Sequence, residues 1–132
     1  MSTINSVCII DDDKIYTYGI SKIIKTYLPG KKLISFENGL KALEGIKQMA
    51  DNNEELPDLI LLDIDMPEMN GWDFLHAFEK IRNSIEKEIQ VFVISSRVDN
   101  DNQELYKIEW NKKVSDFIQK PVDIETLRNL LS

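Results

Sequence analysis

Asp58-Leu59-Ile60-Leu61-Leu62-Asp63-Ile64-Asp65-Met66-Pro67, with Gly71 shortly beyond, is the stretch that decides how this chain folds. Leu59 to Leu62 is apolar without alternation, so both faces of the segment need cover, as in a central strand of a parallel sheet with helices on either side. The run then ends in carboxylates. The helix expected from about Gly71 turns Phe74, Leu75, Phe78 and Ile81 to one side, which supplies cover for one face of that strand.

Working outward, Val7 to Ile10 and Val91 to Ile94 repeat the short apolar signature. Ile15, Ile20, Ile23, Ile24, Tyr27 and Leu28 are assigned to the inner stripe of a first helix that ends at Pro29-Gly30. Lys32 to Phe36 reads as a second strand. Asn38-Gly39 opens a second helix with Leu40, Leu43, Ile46 and Met49 inward, and the polar stretch Asp51 to Glu55 leads to Pro57. Beyond a loop from Arg97 to Asn102, a helix carries Leu105, Ile108 and Trp110. Asp116 to Gln119 forms a short strand, and a last helix, capped by Asp123, turns Ile124, Leu127, Leu130 and Leu131 inward. Five βα units in succession imply a parallel five-stranded sheet with right-handed crossovers and five helices. That is a three-layer α/β sandwich whose ligands sit beyond the carboxyl ends of the strands.

The chain's 132 residues, 42% of them hydrophobic, suit one core, and no linker, internal repeat or second domain is evident; residues 1–132 are read as a single domain with no output domain. The net charge of -7, with lysines and arginines scattered, lacks the basic stripe that nucleic-acid binding requires. A lone cysteine, Cys8, cannot build a disulfide framework and reads as a buried strand residue. Met1 to Ser6 resembles no secretory leader, and no apolar run approaches the roughly 18 to 20 residues of a membrane span, so a soluble cytoplasmic protein without membrane contact is expected. His76, on the helix after Gly71, is given no metal or phosphocarrier role. Trp72, Trp110 and the methionines read as packing or partner contacts.

On this frame Asp11, Asp12 and Asp13 follow strand one, Asp63 and Asp65 follow strand three, Ser95 and Ser96 follow strand four, and Lys120 follows strand five. All share one edge of the sheet. Asp13 suits the N-cap of the first helix. The other carboxylates, from adjacent strands, would repel by about 4 kcal/mol per pair at ~4 Å with an effective dielectric near 20, so the cluster calls for a cation. Oxygen ligands without histidine or cysteine favour Mg²⁺ over zinc. An aspartate can accept a phosphoryl group while a lysine, a hydroxyl and the metal share its charge.

Through Asp11-Asp12, the run Asp58 to Pro67 with Gly71, Ser95 and Lys120-Pro121, nearly the whole chain resembles the receiver domains of bacterial response regulators, the phosphoacceptors of two-component signalling. The resemblance implies a flavodoxin-like strand order 2-1-3-4-5 and Asp63 as the phosphoacceptor. It implies Mg²⁺ held by Asp12, Asp63 and the backbone carbonyl of Asp65, with Asp11 acting through water. Ser95 is then expected to hydrogen-bond the phosphoryl group and Lys120 to pair with it, aimed by a cis Lys120-Pro121 peptide. Phe117 takes the place of the family's aromatic switch, without a tyrosine's hydroxyl, and is expected to move with Ser95. In such domains that movement reshapes the face made by the helix after strand four, strand five and the last helix, and the same is expected here. The implied partners are a sensor histidine kinase or phosphotransfer protein and a downstream protein target, the chain being a monomer or weak dimer. The resemblance implies no enzyme activity beyond catalysis of its own phosphorylation and dephosphorylation. Trp110 and Tyr106 mark a possible partner surface.

Asp65 and Arg97 each lie two residues beyond a key position and flank the opening in such domains; a charge pair between them would limit the water that hydrolyses the acyl phosphate. Two other readings compete. A receiver-like interaction module without phosphotransfer would lack the acceptor, the acid pair or the lysine, and none is missing. A haloacid-dehalogenase-like phosphatase would use Asp63-Ile64-Asp65 as its nucleophile and acid pair. That motif opens its fold, however, whereas here two strands precede it and only 67 residues follow Asp65.

Overall fold

The strands sort themselves by hydrophobicity. In the computed structural model, which describes residues 4–95, 114–120 and 122–131, the uninterrupted apolar runs occupy the middle of the sheet and the more polar strands its edges. β1 (Ser6–Ile10), β3 (Leu59–Asp63) and β4 (Gln90–Ser95) are central; β2 (Lys32–Phe36) and β5 (Asp116–Gln119) are outer strands with part-exposed residues. All pair in parallel in the order β2-β1-β3-β4-β5. Four helices lie among the described residues: α1 (Lys14–Tyr27), α2 (Gly39–Asp51), α3 (Gly71–Arg82) and α4 (Ile124–Leu131). The expected helix at Leu105, Ile108 and Trp110 falls outside the described residues, as do Ser96, Arg97, Tyr106 and Pro121, and with Pro121 the expected cis peptide.

Alternate residues of each central strand feed two cores. Cys8, Ile10, Ile60, Leu62, Val91 and Val93 meet Ala42, Leu43 and Ile46 of α2 and Phe74, Leu75 and Phe78 of α3. Val7, Ile9, Leu59, Leu61, Phe92 and Ile94 meet Ile20 and Ile24 of α1 and Leu127 and Leu131 of α4. Burying both sheet faces completes the three layers expected from the βα alternation.

Helix starts follow local chemistry. The Asp13 carboxylate accepts from the backbone N–H groups of Ile15 and Tyr16, Asn38 caps α2, and Asn70 with Asp73 forms a reciprocal capping box on α3. Asp123 accepts from the Thr126 N–H at 2.7 Å, as its assignment to a cap requires.

Two inner stripes need correction. Ile15 is 86% exposed and Tyr27 47%, and Leu40 of α2 is 45% exposed. At about 100° per residue Ile15 lies roughly 140° around the helix from Ile20, whereas Tyr16, four residues before Ile20, shares its face. In α2 Ala42 takes the inner position and Leu40 is left on the flank. A further tie escaped the sequence reading. Asp58 Oδ2 accepts from the N–H groups of Asn5 and Ser6 at 2.8 and 3.0 Å, while its Oδ1 pairs with Lys87 Nζ at 2.7 Å, clasping the amino ends of β1 and β3.

Candidate acidic site at the carboxyl edge of the sheet

The register that sets Ile10 beside Leu62 brings the residues just after β1 next to the end of β3. Asp11 and Asp63 are buried there, 5% and 4% exposed, and Asp12 is exposed. Carboxylate oxygens of Asp11, Asp12 and Asp63 all lie within 4.8 Å of one another. The turn after β1 is held by its own side chains, since Asp11 Oδ1 accepts from the Asp13 N–H at 2.9 Å. On the β3 side, a Cβ at Gly71 would stand 2.7 Å from Ile64 Cα and 2.8 Å from the Asp63 carbonyl oxygen. Only glycine lets the start of α3 press this closely against the segment that carries Asp63.

Lys120, 16% exposed in its side chain, reaches into the cluster from the end of β5. Its Nζ is 2.9 Å from Asp11 Oδ2 and 3.7 Å from Asp63 Oδ1, and it stands over the Tyr16 ring at 4.2 Å from the centroid. The lysine therefore pairs first with Asp11. Burial, and next the negative charge of Asp11, raise the Asp63 carboxyl to about 7, while Lys120 and the Asp65 N–H, at 3.3 Å from Asp63 Oδ1, pull against that rise. Burial works to lower the Lys120 ammonium, but its hydrogen bond to Asp11 and the charges of Asp63 and Asp11 outweigh it and leave it above its ordinary value. Among the described residues one lysine thus faces three clustered carboxylates, an imbalance that a hard divalent cation would correct through oxygen ligands alone.

Ser95 ends β4 opposite Gln119 of β5, and its carbonyl accepts from the Lys120 N–H at 2.8 Å, so hydroxyl and lysine sit on adjoining strand ends. Asp65 lies in the loop after β3. Phe117 is half-buried on β5, its ring 6.2 Å from that of buried Trp72 and tilted by 42°. The fold thus brings together Asp11, Asp12, Asp63 and Lys120, with Ser95 and Asp65 at the same edge; the Asp65–Arg97 pair lies outside the described residues through Arg97. His76 is on the exposed side of α3. Sequence reasoning missed Tyr16 and the Trp72–Phe117 contact. The four-residue step from Tyr16 to Ile20 could have revealed the first; nothing local signals the second.

A doubly wound parallel sheet with an acidic cluster and a lysine at its carboxyl edge is the architecture of receiver domains. The chain belongs to that family: the model of the response regulator receiver domain matches residues 7–132. It is 34% identical over 100 residues to a two-component response regulator of Oryza sativa subsp. japonica, covering 74% of this chain and 41% of that protein. It is 30% identical over 125 residues to an uncharacterized response regulatory protein of Staphylococcus epidermidis, covering 95% of this chain and 44% of that one. The chain therefore spans less than half the length of these two relatives. The crystal structure of a two component response regulator from Cytophaga hutchinsonii superposes with a TM-score of 0.81 at 27% identity, covering 98% of this chain and 95% of that chain. Phosphorylation and Mg²⁺ binding are characteristic of this signalling family. Among the described residues no helix is long and apolar enough to cross a membrane.

Proposed function

We propose that this receiver takes a phosphoryl group onto Asp63 from the phosphohistidine of a sensor histidine kinase or phosphotransfer protein, in a Mg²⁺-dependent reaction. The observation that carries the reading is the buried Asp63 carboxylate, clustered within 4.8 Å with those of Asp11 and Asp12 and 3.7 Å from Lys120. An Asp63 oxygen attacks phosphorus, the new P–O bond forms as the P–N bond breaks, and the imidazole nitrogen keeps the electron pair. Asp12, Asp63 and the backbone carbonyl of Asp65 would hold Mg²⁺, with Asp11 joined through water. When bound, the ion supplies positive charge that offsets the carboxylates and the phosphoryl oxygens.

Lys120 is already held in the site as a cation, and its ammonium pairs with the incoming phosphoryl oxygens. The Ser95 hydroxyl donates to another of those oxygens. As Ser95 moves toward the phosphoryl group, Phe117 follows and changes the face around β5 and α4, shifting a pre-existing equilibrium toward the form that binds a downstream protein. The Ser95–Lys120 backbone bond and the half-buried position of Phe117 support this coupling. The only covalent chemistry required is the domain's own phosphorylation and dephosphorylation.

Intact mass after incubation with a small-molecule phosphodonor, with and without Mg²⁺, tests the reading. One phosphoryl group gained by the wild type with Mg²⁺, and none by Asp63→Asn, is the expected result. No gain in the wild type would replace phosphotransfer with a phosphorylation-independent interaction module.

A further inference from the structure

Tyr16 has no part in the roles above, yet its ring lies against Lys120. The Lys120 ammonium stands 4.2 Å from the centroid of its ring. At that distance, in a largely buried site, the ring's negative face attracts a cation appreciably. Burial raises the phenol of Tyr16 above its ordinary value, so the ring stays uncharged around neutrality.

The position of the ring is set by the same turn that holds the acids. Asp11 Oδ1 accepts from the Asp13 N–H at 2.9 Å, and Asp13 Oδ1 accepts from the Tyr16 N–H at 3.0 Å. Tyr16 faces Lys120, whose Nζ returns to Asp11 Oδ2 at 2.9 Å. The contacts close a ring of four residues, two of which place Tyr16 and one of which receives the lysine.

We propose that Tyr16 is a positioning residue for Lys120: its ring face holds the ammonium over the Asp11–Asp63 edge and shields it from solvent, so that the lysine is in place when the phosphoryl group arrives. This rests on the reading of Asp63 as acceptor for its functional consequence, but not for the contact itself. A flexible lysine has many rotamers to lose, and a pre-set ammonium loses fewer of them at the reaction.

The test uses the full chain with Mg²⁺ and compares wild type, Tyr16→Phe, which keeps the ring, and Tyr16→Leu, which removes it; Tyr16→Met repeats the second change in an unbranched side chain should the leucine variant unfold. Lysines are acylated with a limiting amine reagent and mapped by peptide mass, with exposed Lys32 and Lys41 as internal references. Lys120 reactivity relative to these is expected to rise about three- to ten-fold without the ring and to stay at the wild-type level in Tyr16→Phe. Equal Lys120 reactivity in all variants, or exposure in Tyr16→Phe as well, overturns the proposal.

The second readout is the rate of Asp63 phosphorylation by a small phosphodonor at saturating Mg²⁺, alongside Mg²⁺ affinity and thermal midpoint. The ring-less variants are expected to react about three- to ten-fold more slowly with Mg²⁺ affinity unchanged, and Tyr16→Phe to restore the rate. A ring-less variant that reacts as fast as wild type sinks the positioning role. A wild type that accepts no phosphoryl group removes the Asp63 reading, while the acylation map still decides for or against Tyr16.

Discussion

Replacing the proposed phosphoacceptor is expected to stabilise the metal-free protein. Asp63 is held at about 7 against an ordinary 3.8, by burial first and by Asp11 second. At about 1.4 kcal/mol per pH unit, keeping that carboxylate ionised costs the folded chain up to about 4 kcal/mol, and solvent screening at this partly open edge brings the cost down toward about 2. Because the folded value is raised, the native state retains a proton that the unfolded chain has already released. Wild-type stability therefore falls as pH rises from about 4 to about 7 and levels off above that range. Asp63→Asn has no such slope. Urea unfolding in chelator at about pH 4, pH 6 and pH 8 is expected to show near-equal stability at the lowest value and an advantage for the variant of about 2–4 kcal/mol at the highest, roughly 10 °C in Tm for a domain of this size. Mg²⁺ is expected to offset most of that advantage by stabilising the wild type, by about 2.7 kcal/mol at a hundred times its Kd, with little effect on the variant. Parallel pH profiles in the two proteins, or a variant less stable near pH 8, would refute the electrostatic account of Asp63.

Three further outcomes follow from positions away from that carboxylate. Asp58→Ala leaves the N–H groups of Asn5 and Ser6 and the Lys87 ammonium without their shared acceptor and is expected to cost about 2–4 kcal/mol near neutral pH. Although burial opposes it, the Asp58 carboxyl is held below its ordinary value by Lys87, Asn5 and Ser6. Its contribution is thus present above the unfolded value and lost as pH falls through the folded one, so urea midpoints of wild type and variant must converge in acid; a constant gap would contradict this. Gly71→Ala places a methyl 2.7 Å from Ile64 Cα and is expected to cost about 1–3 kcal/mol and weaken Mg²⁺ binding by displacing Asp63, both checked by denaturation with and without the ion. An unchanged Mg²⁺ affinity would show that the contact does not set the site. Burial pushes the Cys8 thiol up to about 12, so a thiol reagent near pH 8 is expected to label it at a rate that follows unfolding; rapid labelling of the native chain would be inconsistent with that burial.

Among the described residues, sequence by itself determined the elements and their layering. Leu59 to Leu62 had to be central because an unbroken apolar run needs cover on both faces, and Asp13, Asn38 and Asp123 mark helix starts because short polar side chains satisfy the free N–H groups of a first turn. It also indicated which residues gather at the carboxyl edge of the sheet, since Asp11 and Lys120 directly follow parallel strands and Asp63 and Ser95 end them. The family resemblance, rather than periodicity, supplied the strand order.

Tertiary structure alone decided the rest. It paired Lys120 with Asp11 ahead of Asp63 and joined Asp58 to residues more than fifty positions away. It also set the Phe117 ring beside Trp72, and it put Tyr16 rather than Ile15 on the face that meets the site. Local pattern records which side of its own helix or strand a residue occupies. Partner choice depends on the register between strands and the seating of helices on the sheet, which arise only when segments distant in the chain pack together.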